Sequence, residues 1–191
     1  MKRAEVILNA IAIIGILMIL LEFPGGRFLL ILSIGILSLL YFYLGFAIFN
    51  DLRFREIFKK ISYSKIKALH ILGAVGVGIS LSICIIGILF RIMLWPGSAV
   101  QLLFGIISLS AIIILCLIRL KSKVKFYKRI LLRVVPILAL GLLLYMLPIR
   151  QLVYIMHGNN EYSKALINSI EYPDNIEYQK EVENERRKRG L

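Results

Sequence analysis

Long apolar runs alternate with short polar gaps along this chain, and the run lengths match a bilayer. A membrane-spanning helix needs about 20 mostly apolar residues, with a range of roughly 17–25. Five runs meet that length: Val6 to Phe23, Phe28 to Phe49, Ala68 to Trp95, Ala99 to Ile118, and Ile130 to Ile149. Asn9 is the one polar residue inside the first, and favourable Leu and Ile insertion outweighs one amide. The third is long enough to tilt. Pro136 is expected to kink the fifth, because proline breaks the helical hydrogen-bond ladder. Helices long enough to span, with no strand pattern between them, predict an all-α membrane protein of five transmembrane helices: two helix–turn–helix hairpins and a fifth span.

The gaps differ in kind. Arg53, Arg55, Lys59, Lys60, Lys65 and Lys67 fill one, and Arg119, Lys121, Lys123, Lys125, Lys128 and Arg129 fill another. Cytoplasmic loops retain Lys and Arg, whereas short translocated loops lack them. The expected path therefore starts in the cytoplasm at Lys2 and Arg3 and turns outside at Pro24-Gly25-Gly26. It returns inside through residues 50–67, turns outside at Pro96-Gly97-Ser98, and passes inside again through residues 119–129. Residues 151–191 then lie outside, in the periplasm of a bacterium. Met1-Lys2-Arg3 before an apolar run also opens a signal peptide, but no small-residue cleavage pattern follows. An uncleaved first span is expected.

Apolar residues make up 59% of the chain, and the mean hydropathy is +0.84. The net charge of +13 sits at the ends of apolar runs, with no acidic residue between Glu56 and Glu161. That placement suits anionic lipid headgroups at the cytoplasmic connectors. It does not suit nucleic acid, for which no recognition module is present. Beyond lipid, the expected partners are another membrane protein or a second copy of the chain. Cys84 and Cys116 lie inside apolar runs without metal-ligand spacing, and no cofactor is expected. The serines lack an adjacent histidine–acid set, so a nucleophilic enzyme is not expected. His70 and His157 read as interfacial residues. Among the carboxylates, Glu22 reads as the one near a span. It lies at the outer rim, within reach of Arg27.

Ile11–Phe46 aligns with Ile83–Ile118 at a constant offset of 72 positions. Ile13-Ile14-Gly15-Ile16-Leu17 repeats as Ile85-Ile86-Gly87-Ile88-Leu89, and Phe23-Pro24-Gly25 as Trp95-Pro96-Gly97. This reads as an internal repeat, with units at about 6–49 and 68–118 inside a membrane domain of residues 1–150. Proline stops each first helix, and glycine reaches the backbone angles a tight reversal needs. On the third run, Ala74, Gly78 and Ser82 recur every four residues, with Gly73 and Gly76 beside them. Small residues at that spacing let helix backbones approach. Contact between the hairpins, a homodimer interface and a ligand niche all fit the spacing.

Phe90-Arg91-Ile92-Met93-Leu94-Trp95-Pro96-Gly97, with Ile86-Gly87-Ile88-Leu89 upstream, resembles the transmembrane hairpin of the GldL family. Those are inner-membrane proteins of the gliding-motility motor and type IX secretion system of Bacteroidota. The likeness covers roughly 30 to 35 residues, and the first unit, ending Glu22-Phe23-Pro24-Gly25, is a fainter copy. Leu94 stands where the family has histidine. The family's intramembrane glutamate has no counterpart in Gly105–Ser110 or Ser33–Ser38, and its long cytoplasmic domain is missing. The resemblance implies a shared hairpin, not a motor.

Arg91, one turn before Trp95, is the candidate contact for a lipid phosphate or an anionic partner; an interfacial residue that snorkels to water fits as well. In the tail, Asn160 is expected to cap one helix and Pro173 to open a second that ends in Arg186-Arg187-Lys188-Arg189. The tail reads as helical or partly disordered. The function that fits best is a non-catalytic scaffold or accessory subunit. A small transporter or channel built on the two hairpins is the alternative.

Overall fold

In the computed structural model, residues 2–50, 52, 68–119 and 124–188 are described. The basic residues between 53 and 67, Lys121, Lys123 and Arg189 lie outside them, as does the Lys125 side chain. Among the described residues there is no strand, and eight helices follow in order. Five are long: α1 (Lys2–Leu20), α2 (Gly26–Phe49), α3 (Ala68–Ile92), α4 (Ser98–Arg119) and α5 (Val124–Met146). Three are short: α6 (Ile149–His157), α7 (Glu161–Glu171) and α8 (Ile176–Lys188). The five long helices are each long and apolar enough to cross a membrane, the pattern of a multi-pass membrane protein.

Connectivity makes neighbouring spans antiparallel and gives the bundle two unlike ends. Both Pro-Gly turns lie at one, the turn end; Arg119, Lys128 and Arg129 lie at the other, the basic end. α1, α2, α3 and α4 pack in chain order, and α5 lies against α3 and α4. α3 is the central helix, with Ala74, Leu81 and Cys84 fully enclosed. The outer spans bury only one stripe each. On α1 the stripe is Glu5, Ala12, Gly15 and Ile19, while Ile13, Ile14 and Leu17 are exposed. Phe104, Ile107 and Ile114 on α4, and Leu132 and Leu143 on α5, are exposed too. Apolar residues turned outward around the bundle suit a hydrocarbon solvent.

Both turns close in the same way. The Phe23 N–H donates to Met18 O (2.8 Å) and the Glu22 N–H to Ile19 O (3.1 Å). The Trp95 N–H donates to Phe90 O (2.9 Å) and the Leu94 N–H to Arg91 O (3.3 Å). These paired bonds form a Schellman motif, which satisfies carbonyls left over at a helix end. The motif needs a left-handed residue, supplied by Glu22 (φ 56°) and Leu94 (φ 57°). Gly25 (φ 87°) and Gly97 (φ 76°) then reverse the chain. Their carbonyls accept from the Leu29 and Gln101 N–H groups at 3.0 Å. Two left-handed residues per turn are needed, and only one of them is glycine.

The fifth span differs from expectation. α5 begins near Val124 and ends at Met146, short of Ile149, because Pro148 opens the separate helix α6. Pro136 lies inside α5, which continues through it as one helix. In the tail, the Asn160 side chain accepts from the Ser163 N–H at 2.9 Å and caps α7. Pro173 and Asp174 stay in the turn before α8; Asn175 accepts from the Glu177 N–H at 2.9 Å.

α2 and α3 come into close backbone contact at Gly45 and Gly78. A Cβ on Gly78 would sit 2.4 Å from Tyr41 O and 3.1 Å from the Gly45 Cα. Gly73 and Gly76 face away from this seam, with open space around each. Gly78→Val is therefore expected to destabilise by about 1–3 kcal/mol, the usual cost of overpacking. Gly76→Ala is expected to be neutral, or stabilising by up to about 1 kcal/mol from helix propensity. Thermal unfolding in detergent, followed by circular dichroism, separates them; equal midpoints would remove the close-contact account.

Candidate functional site

Polar side chains inside the spans gather at three levels. At the basic end, Glu5 of α1, Tyr41 of α2 and Arg133 of α5 converge. Arg133 grips the carboxylate with two parallel bonds, Nε to Oε1 at 2.7 Å and Nη2 to Oε2 at 2.9 Å. Such fork-to-fork pairs are among the stronger and more directional hydrogen bonds. The Tyr41 hydroxyl donates to Glu5 Oε1. Arg133 also donates from Nη1 to Arg129 O at 3.3 Å, and its guanidinium carbon lies 5.8 Å from the Phe49 ring centroid. Arg129 donates to Phe49 O at 3.0 Å and so satisfies a carbonyl at the end of α2. The Glu5 and Arg133 side chains are 12% and 15% exposed, so the pair is largely shielded.

At mid-bundle the Ser38 and Ser82 hydroxyls are 2.6 Å apart and join α2 to α3. With Ala74, fully buried, and Gly78, Ser82 therefore faces α2, so the small-residue seam lies between the two hairpins. Asn9 donates to Glu5 O of its own helix at 2.9 Å.

Near the turn end, Arg91 is only 8% exposed. It donates from Nε to Leu144 O (3.2 Å) and from Nη2 to Leu147 O (2.8 Å). The expectation that Arg91 reaches a lipid phosphate or a partner is corrected here. The C-terminus of α5 presents carbonyls without helical partners, and the guanidinium turns inward to them. Charge also favours this, since a cation is stabilised at a helix C-terminus.

Beyond Arg91 the tail covers the turns. α6 buries Leu152, Val153, Met156 and His157, and α7 buries Tyr162, Ser163, Ala165 and Ile167. Arg27 Nη2 lies 3.4 Å from His157 Nε2, and the His157 and Tyr162 rings meet edge-on at 5.3 Å. Phe23, Pro24 and Gly25 border a cleft of about 260 Å³ together with His157 and Arg186. Trp95 borders a neighbouring one of about 210 Å³ with Tyr162 and Leu166. Pro96 and Gly97 are exposed at the tip of the second turn. Arg150 binds Glu171 through two bonds of 2.7 and 2.9 Å, linking α6 to α7. That guanidinium holds the Glu171 carboxyl below its ordinary value.

Among the described residues, no buried side-chain nitrogen or oxygen lacks a hydrogen-bond partner. No three His, Cys, Asp or Glu side chains come together as metal ligands either. Comparison with family models, with curated proteins and with solved structures finds no match for this chain.

The sequence reading places no carboxylate at depth except Glu22 at the rim, and the structure corrects it. Glu5 stands in the first turn of α1, beside Lys2 and Arg3, where acidic residues usually mark a solvated helix start. The signal available was Arg133 itself: a cation inside an apolar run calls for a partner.

Breaking a buried ion pair leaves a charge uncompensated and costs about 3–5 kcal/mol, whereas replacing both partners by apolar groups costs far less. Glu5→Leu and Arg133→Leu are each expected to lower the thermal midpoint sharply, and the double substitution to recover most of the loss. Additive losses in that double-mutant cycle would show that the two side chains do not depend on each other.

Proposed function

We propose that this chain is a non-catalytic scaffold or accessory subunit of a bacterial inner membrane, built on two hairpins related to that of the GldL family. One observation carries the reading. Inside the spans, Glu5 closes on Arg133 and Tyr41, Ser38 on Ser82, and Arg91 on the α5 carbonyls, all of them groups of the same chain. A conduction path or a catalytic centre needs polar groups aimed at a ligand or at water. Here they are spent on holding helices together.

The kinship of the two hairpins draws support from burial as well as from sequence. Ala12, Gly15, Ile19, Leu30, Ile34 and Leu37 are buried, and so are Cys84, Gly87, Arg91, Leu102, Ile106 and Leu109 at the same offset of 72 positions. Gly15 packs on Leu30, and Gly87 packs on Leu102. The GldL likeness itself rests on the Phe90–Gly97 motif, and the missing glutamate in α4 separates this chain from the motor. The orientation follows the charge rule, with the basic end in the cytoplasm and α6 to α8 in the periplasm. α8 buries none of its residues, which leaves it available to a partner outside the membrane.

Crosslinking and pull-down from native membranes test the scaffold, comparing the full chain with one lacking residues 158–191. Partners captured by the full chain and lost with the tail are the expected result; an identical set would remove the tail as the docking element. Reconstituted vesicles are expected to show no protein-dependent ion or solute flux, and a flux that saturates with solute or follows an imposed ion gradient would establish the transporter instead. A reporter fused after Leu191 is expected to be active only in the periplasm, and cytosolic activity would invert the orientation.

A further inference from the structure

We propose that the tail is anchored to the bilayer surface at the turn end, through one patch seated in the lipid headgroup level. Its members are Tyr145 and Met146 of α5, Tyr154 of α6, and Tyr172 and Ile176 at the α7–α8 turn. The inference rests on the five spans, and on neither the scaffold reading nor the sidedness.

The patch starts where α5 leaves the membrane. The apolar part of α5, Phe126–Met146, is 21 residues long. That is about 31 Å at 1.5 Å per residue, against about 30 Å of hydrocarbon in a bilayer. Met146 therefore stands where hydrocarbon gives way to headgroups, and it is 79% exposed. Tyr145 beside it and Leu143 before it are exposed too. The patch thus continues the lipid-facing surface of the span.

A double bond of charge brings the end of α7 back to the same place. Pro148 opens α6 two residues after Met146, and Arg150 lies in the first turn. Arg150 holds Glu171 at 2.7 and 2.9 Å, which draws the last turn of α7 to the start of α6. Tyr154 and Tyr172 both lie within electrostatic reach of that guanidinium. The Asn175 N–H donates to Tyr172 O at 3.1 Å, a tight turn that keeps Ile176 beside Tyr172, and the two border one hollow. Tyr172 is 58% and Ile176 66% exposed. Among the described residues of α6 to α8, the other exposed large apolar side chains are Tyr154 and Ile155. The exposed apolar residues of the tail are therefore not scattered. Three of the four gather around the exit of α5.

Size and charge decide what covers them. Rings with an apolar body and a polar tip favour the membrane interface. The five side chains expose roughly 550 Å² together, on residues that bury about 150–250 Å² each when fully covered. A stable protein interface takes about 800 Å² from each partner, so the patch is too small to hold a second copy or another protein. The bilayer surface sets no such minimum, because it already meets the span below. Arg150 is closed by Glu171, while Asp174 and Glu177 are exposed beside the patch. Anionic headgroups thus offer it nothing, and it enters by apolar and aromatic contact.

The test places an indole in the patch of the full chain. Trp95→Phe removes the one native tryptophan, and Tyr172→Trp or Ile176→Trp is added to it. Each protein is reconstituted in phosphatidylcholine vesicles carrying a fixed share of lipid brominated near the headgroup end of one acyl chain. Blue-shifted emission and about two-fold quenching by the brominated lipid are expected for both variants, as for an aromatic side chain at the interface. Asn184→Trp in the same background, at an exposed position in the middle of α8, is expected to stay water-exposed and unquenched. Replacing the unbrominated phosphatidylcholine by phosphatidylglycerol is expected to leave the quenching unchanged. Water-exposed, unquenched indoles at both 172 and 176 would overturn the proposal; using two positions guards against one substitution disturbing the turn. So would a blue shift that vanishes as the protein is diluted in lipid, which would assign the patch to a second copy. Quenching that appears only with phosphatidylglycerol would overturn it as well, by assigning the contact to charge. The measurement needs no partner and no knowledge of sidedness, so the pull-down and the reporter can fail without changing it, and its failure leaves both intact.

Discussion

Glu5 and Arg133 join the first span to the last, and that single pair sets much of what the bundle can be. In hydrocarbon, burying leucine against leucine gains little, since lipid tails are as apolar as the side chains. Helices are held instead by close backbone contact and by polar groups that have no other partner. α1 makes its main contacts with α2, and α5 with α3 and α4. The α1–α5 relation is fixed by a bidentate salt bridge between residues 128 positions apart in sequence. Tyr41 adds a donor from α2, so three helices meet at one carboxylate.

The position of the pair follows from its cost. A charge at the bilayer centre is expensive, and the cost falls steeply toward the interface. Arg133 lies seven residues after Phe126, the start of the apolar part of α5, or about 10 Å along the helix. Glu5 also gains from its own helix, because the N-terminal turn carries partial positive charge that favours a carboxylate. Arg129 and Arg91 obey the mirrored rule. Each donates to carbonyls at the C-terminus of a neighbouring helix, α2 for Arg129 and α5 for Arg91. Arg133, Arg129 and Arg91 thus follow one logic, in which each compensates a charge or a helix terminus that lipid cannot solvate.

What could be read from the sequence is what one segment determines alone. Apolar run length gives the five spans, Pro-Gly gives both reversals, and an asparagine before Glu161 gives the cap of α7. The small residues Ala74, Gly78 and Ser82 are likewise legible as a seam, because their spacing repeats within one helix. The rest depends on tertiary placement. Glu5 beside Lys2 and Arg3 has the local signature of an ordinary helix start, and Tyr41 that of an interfacial aromatic. Nothing near either one names Arg133. Arg91 is similar: its partners are backbone carbonyls, which carry no sequence signal, and its proximity to Trp95 imitates an interfacial residue. The left-handed Glu22 and Leu94 were equally hidden, since neither is a residue type that favours that conformation.

The two ends of the bundle show how the same chain solves opposite problems. At the turn end, short reversals leave the ends of α1 to α4 close together, and α6 and α7 lie over them with His157 and Tyr162 against Arg27. Met156 and Leu166 border the same cleft as Trp95, and Leu152 and Met156 belong to the buried core cluster, so α6 and α7 extend the core of the bundle. This accounts for their helicity despite few apolar residues: a segment too small to bury a core alone borrows one. At the basic end the described residues place no comparable cover over α3, α4 and α5. There Arg119 and Lys128 are exposed, and the His70 and Phe126 rings meet at the same end. The asymmetry of cover thus matches the asymmetry of charge. The end that lacks lysine and arginine in its connectors is closed by α6 and α7, and the other end carries the exposed Arg119 and Lys128.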